Sequence, residues 1–66
     1  MQIIVNGKPT EAAAALALLE LLRIKGLKPE RVVVELNGEI VDKIRYDAVI
    51  LKENDTLEIL SFVGGG

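Results

Sequence analysis

The chain of 66 residues sets ten Asp and Glu against eight Lys and Arg, for a formal net charge of −2, and is 50% hydrophobic. That balance suits one small folded domain and argues against disorder. Its scattered basic residues form no stripe able to neutralise phosphates, so nucleic acid is not an expected partner. The longest apolar run, Ala12 to Leu19, falls well short of the roughly 20 residues that a membrane crossing needs. Met1-Gln2 lacks the basic start of a signal peptide, so a cytoplasmic protein away from membranes, monomeric on its own, is expected. With no Cys and no His, the chain lacks a disulfide, a thiolate metal cage, a thiol nucleophile and the usual base near neutral pH. Catalysis by the chain itself is therefore not expected.

A first strand is predicted over Gln2 to Val5, where Ile3, Ile4 and Val5 run into Asn6-Gly7, a dipeptide that favours the left-handed hairpin turn. A second strand should follow at once. The residues that follow, Lys8-Pro9-Thr10-Glu11 and then Ala12 to Ala15, carry conflicting signals. Alanine is the best helix former, Thr10 suits an N-cap and Glu11 suits a first turn, so propensity favours helix from about residue 11. Placement directly after Asn-Gly favours strand.

Helix is predicted from about Leu16 to Lys25, with Leu18, Leu21, Leu22 and Lys25 on one stripe and Glu20 and Arg23 on the opposite face. Gly26 ends it in the left-handed C′ position, with Pro29 just beyond. Arg31 to Leu36 gives the strongest strand signal, and Asn37-Gly38 turns it into a strand-like Glu39-Ile40-Val41. A polar connector containing Tyr46 and Asp47 leads to a turn at Glu53-Asn54-Asp55 and a final strand from Thr56 to Val63. Asp42, Asp47, Glu53 and Asp55 match no loop with a defined ligand pattern and read as solvated turn residues, so no metal is expected. Tyr46 reads as a partly buried packing residue, and the Asn-Gly dipeptides read as turns alone.

Hairpin, helix, strand or second hairpin, connector and final strand together make the order of a β-grasp domain. This is an α+β fold in which a mixed sheet holds one helix against one face. The domain is expected over 1–63, with a glycine tail over 64–66. Alternation directs Ile3, Val5, Val32, Val34, Leu36, Leu57 and Ile59 toward the helix, and Ile4, Val33, Leu60 and Phe62 away from it. The outward set has two readings, a docking patch and ordinary exposed apolar surface. Docking is favoured because a sheet with one helix leaves its second face uncovered, and Phe62, the only Phe, is its expected anchor, with Val63 beside it.

The opening Met1-Gln2-Ile3-Ile4-Val5-Asn6-Gly7, the block from Leu27 to Val41 and the ending Phe62-Val63-Gly64-Gly65-Gly66 resemble the ThiS-type sulfur carriers of thiamine biosynthesis, in the ubiquitin-like β-grasp superfamily. The resemblance implies that Gly66 bears a reactive carboxylate, with Gly64 and Gly65 as its slender approach. It also implies that no cofactor is bound. On that resemblance, a ThiF-like adenylating enzyme is expected to consume ATP in activating the carboxylate, sulfur to displace AMP and leave a thiocarboxylate, and a ThiG-like thiazole synthase to take the sulfur. Three residues without side chains span at most about 10 Å, enough to thread a narrow channel.

Two departures from the family pattern stand out. Ala12 to Ala17 replaces a loop that usually holds a Gly and a Thr, and Asn54-Asp55 replaces a common Gly-Asp. Asn is the next-best residue for a left-handed backbone, so that turn is expected to survive. Molybdopterin-type and other ubiquitin-like carriers or modifiers share tail and fold. An engineered β-grasp scaffold with an idle tail is a third reading, for which deletion of Gly65 and Gly66 would change no activity.

Overall fold

The structure, a computed structural model, describes residues 1–62, so Val63 and the expected tail over 64–66 lie outside the described residues. Six regular elements appear in the order β1 (Gln2–Val5), β2 (Lys8–Glu11), α1 (Leu18–Ile24), β3 (Val32–Leu36), β4 (Glu39–Ile40) and β5 (Thr56–Ser61). The strands form one sheet ordered β2-β1-β5-β3-β4, with β1 and β5 parallel at its centre and the other neighbours antiparallel. This is the mixed sheet with one helix of the β-grasp fold. Among the described residues, no helix is long and apolar enough to cross a membrane.

The conflict at residues 8–15 resolves for strand. Asn6 and Gly7 take φ of 50° and 80°, and the turn they make sets Lys8 opposite Val5 and Glu11 opposite Gln2. Ladder hydrogen bonds gained over a whole hairpin outweigh an alanine preference of a fraction of a kcal/mol, about 0.5 per residue. Pro9 is tolerated because β2 is an edge strand. The alanines beyond form a turn instead of a helix, with Ala15 in the left-handed region at φ 58°.

Helix α1 starts at Leu18, two residues later than the sequence indicates, and has no side-chain cap. Its first amides find carbonyls in the connector: Leu18 N–H donates to Val49 O at 2.9 Å and Leu19 N–H to Tyr46 O at 2.9 Å. Its end follows the Schellman pattern, Leu27 N–H donating to Leu22 O at 2.8 Å and Gly26 N–H to Arg23 O at 3.0 Å, with Gly26 at φ 73°. Seven residues are too few for an isolated helix, so packing supplies its stability. Leu18, Leu21 and Leu22 are buried, each worth about 1.5–3 kcal/mol. Lys25 does not join their stripe; it is the exposed C-cap.

Burial follows the predicted alternation closely. Ile3, Val5, Val32, Val34, Leu57 and Ile59 form the core with the helix leucines, Leu51 and Tyr46, while Leu36 is half-buried beside them. β3 begins at Val32 because Pro29–Arg31 makes a 3-10 turn. β4 ends at Ile40, although Val41 N–H still donates to Val34 O at 2.9 Å.

Tyr46 is buried to 2% exposure rather than partly, and its hydroxyl donates to Val32 O at 3.2 Å. Lys43 Nζ donates to the same carbonyl, so the connector covers the stretch of β3 that the short β4 leaves open. Burial raises the Tyr46 phenol above its ordinary 10.0, with a Val34 backbone hydrogen bond opposing it more weakly.

Candidate functional site

The outward side of the sheet is the surface the helix leaves bare. Along β5, Leu57 and Ile59 point inward, while Thr56, Glu58 and Leu60 point out. Leu60 lies directly opposite Val33 of β3. Phe62 occupies the next outward position, held there by its N–H donating to Arg31 O at 2.8 Å. Leu60 and Phe62 are each 58% exposed and Val33 is half-buried, so these three form an apolar step at the end of the last strand.

Ile4 does not join them. The parallel register sets it opposite Thr56, four positions back along β5 from Leu60, or about 13 Å at the usual rise per residue. Glu58 stands between, and the antiparallel register places Glu35 directly opposite it. Ile40, 69% exposed, faces Glu35 from β4 and belongs to the same side. Its outward position follows from the alternation beyond Asn37-Gly38. The outward face is thus an apolar step at Val33, Leu60 and Phe62, with Ile4 on β1 and Ile40 on β4 each set apart from it and from one another across Glu58 and Glu35. Among the described residues, the ion pairs lie elsewhere, between the Met1 amino group and Glu11 and between Arg23 and Glu20, both at 3.3 Å.

The two Asn-Gly turns do more than reverse the chain. Asn6 Oδ1 accepts the Ile59 N–H at 2.7 Å and its Nδ2 donates to Ile59 O at 3.2 Å. Asn37 Oδ1 accepts the Thr56 N–H at 2.9 Å and its Nδ2 donates to Asp55 Oδ1 at 3.0 Å. The side chains therefore act as surrogate strand partners for β5 at two points. Asp55 is not solvated either: it is 6% exposed, and its second carboxylate oxygen accepts the Lys52 N–H at 2.7 Å. Asn54 takes φ 69°, the left-handed geometry expected of that turn.

Chemically, the described residues offer exposed apolar surface and bring no nucleophile and base together. No group of three or more His, Cys, Asp or Glu among them could hold a metal ion. An open hollow of about 240 Å³ beside β4 is lined by Leu36, Glu39, Ile40, Val41, Asp42, Arg45 and Val49, which include two carboxylates and a guanidinium but no hydroxyl, thiol or amine nucleophile. Gly64, Gly65 and Gly66, to which the family resemblance assigns the reactive end, lie with Val63 outside the described residues.

Known proteins place this arrangement in a family. Over its whole length the chain is 44% identical to a thiazole synthase of Magnetococcus marinus, of which it spans only 20%. It is 47% identical over 47 residues to the sulfur carrier protein ThiS of Bacillus subtilis, a stretch covering 71% of each chain. Its fold superposes on the crystal structure of the thiamine biosynthesis protein ThiS from Geobacter metallireducens with a TM-score of 0.83, at 43% identity and full coverage of both chains. Residues 3–66 match the ThiS family, and the chain belongs to it.

Proposed function

We propose that this chain is a sulfur carrier for thiazole formation in thiamine biosynthesis, with the Gly66 carboxylate as its reactive group. The observation that carries this reading is that the family match runs through residue 66 and so includes all three terminal glycines. A carboxylate is a poor acyl donor because its oxygen leaves badly. Attack of the Gly66 carboxylate on the α-phosphate of ATP, with loss of pyrophosphate, gives an acyl adenylate whose leaving group is AMP. A sulfur nucleophile then displaces AMP, and the resulting thiocarboxylate passes its sulfur to a thiazole synthase.

The division of labour follows from the residues. The carrier supplies the acyl group and a docking face, and a separate adenylating enzyme binds the ATP. Leu60 and Phe62, at the end of the strand that leads into the tail, are the residues best placed to guide Gly66 into a partner. That relatives bearing the name thiazole synthase contain a segment matching the whole of this chain supports a thiazole synthase as the acceptor.

The test is intact-protein mass spectrometry after incubation with ATP, a ThiF-type adenylating enzyme and a sulfur source. Full-length chain should gain the mass of one oxygen-to-sulfur exchange, and chain lacking Gly66 should not. An unchanged mass, with the same enzyme active on another ThiS protein, would overturn the reading. Sulfur accepted by a molybdopterin-forming enzyme but not by a thiazole synthase would reassign the pathway.

A further inference from the structure

We propose that Asn37-Gly38 is a site of hydrolytic deamidation, held in check by the contacts of Asn37 with Asp55 and Thr56, and that its aspartate product sets a second carboxylate against buried Asp55. The residue pair is chemically suited to the reaction. The Gly38 amide nitrogen attacks Cγ of Asn37, the Cγ–Nδ2 bond breaks, and ammonia leaves carrying the Gly38 amide proton. Water then opens the cyclic imide at either of its two carbonyls, giving aspartate or the isoaspartate isomer with one extra backbone carbon. No oxidant or reductant takes part. Gly38 has φ 87°, and, being glycine, it carries no side chain of its own to hinder attack by its nitrogen.

The fold sets the rate. Both polar atoms of the Asn37 amide are committed at the entry to β5, Nδ2 to Asp55 at 3.0 Å and Oδ1 to the Thr56 N–H at 2.9 Å. The Asn37 backbone N–H also donates to Thr56 O, at 2.8 Å. Cγ reaches the Gly38 nitrogen only when these contacts open, so deamidation reads out a local opening at the start of β5.

The fold also sets the consequence. Nδ2 is the donor that holds Asp55 Oδ1, and in the aspartate product an oxygen in its place puts two carboxylates about 3 Å apart, a spacing at which both do not readily ionise, while the isoaspartate product loses the donor and shifts the backbone. Asp55 is 6% exposed, so solvent screens the repulsion poorly. Its other oxygen stays on the Lys52 N–H, which leaves the carboxylate no easy route outward. At Asn6-Gly7 the same conversion would meet the Ile59 peptide group instead of a carboxylate.

The experiment needs no partner protein. Full-length chain is held in mildly alkaline buffer, native and in urea, and peptide mapping follows the gain of one mass unit at Asn37. Conversion in urea should exceed the native rate by at least about tenfold, as expected for chemistry that waits on opening. Asn37→Asp should lower Tm by about 5 °C or more. Adding Asp55→Asn to that variant should restore at least about half of the loss, because donor and acceptor then exchange places with every hydrogen bond kept. Equal rates in the two solvents, an Asn37→Asp variant that melts with the unaltered chain, or a double variant with no recovery would each overturn the proposal.

Discussion

The side-chain amide of Asn6 holds both polar backbone groups of Ile59, its Oδ1 taking the N–H at 2.7 Å and its Nδ2 reaching the carbonyl at 3.2 Å. A turn residue thereby extends the pairing of β1 with β5 beyond the last backbone rung between them, the Asn6 N–H on Leu57 O at 2.8 Å. Asn6→Gly separates the two roles of this residue, since glycine keeps the left-handed φ but cannot make the clamp. The expected cost is about 1–3 kcal/mol, the penalty for leaving partly buried backbone groups without partners, measured as a lower urea midpoint.

Ala15 sits at φ 58° with no compensating contact of its own side chain, which is exposed. A left-handed alanine costs about 1–2 kcal/mol, more than the extra unfolded-state freedom of glycine. Ala15→Gly should therefore stabilise the fold by about 0.5–1 kcal/mol, seen as a Tm higher by a few degrees.

Tyr46 is the only tyrosine, so alkaline titration of the ultraviolet absorbance reports it alone. Burial raises its folded pKa above the ordinary 10.0. Below that value the phenol is neutral in both states and contributes no pH dependence. Above it the unfolded phenol ionises first, binds fewer protons than the folded one, and stability falls as pH rises. Tyr46→Phe should remove this component of the alkaline loss. At neutral pH it should cost only about 0.5–1.5 kcal/mol, because Lys43 still donates to Val32 O.

Leu60 and Phe62 are exposed, and their truncation should leave stability within about 0.5 kcal/mol. In the reconstituted thiocarboxylation assay, Phe62→Ala should lower kcat/KM about tenfold or more, mainly through KM, as the loss of an interface anchor would. Ile24, 69% exposed on the helix, is the control: Ile24→Ser should change neither stability nor rate appreciably.

What local sequence encodes was legible. Asn-Gly turns, the Gly26 stop and the alternation that puts Val33 and Leu60 outward are each written within a few neighbouring residues. What escaped depends on residues far apart in the chain. The start of α1 is set by carbonyls of Tyr46 and Val49, not by a cap of its own. Asp55 looked solvated because its partner Asn37 lies 18 residues away, and the Asn side chains looked like turn formers because Ile59 and Thr56 are more distant still. Ile4 was grouped with Leu60 because alternation gives the face but not the offset, which the parallel register of β1 on β5 alone determines.

That parallel pairing also orders events during synthesis. The β1–β2 hairpin leaves the ribosome first, yet its single connection to the rest of the sheet is the pairing of β1 with β5, made some fifty residues later. A two-stranded hairpin is marginal by itself, and contacts spanning nearly the whole chain are slow to close. The nascent protein must therefore remain unsettled until Thr56–Ser61 emerges, so that a polypeptide cut short before β5 has no sheet to present. Acquiring the folded shape therefore waits on β5, and through it on nearly the whole of the chain.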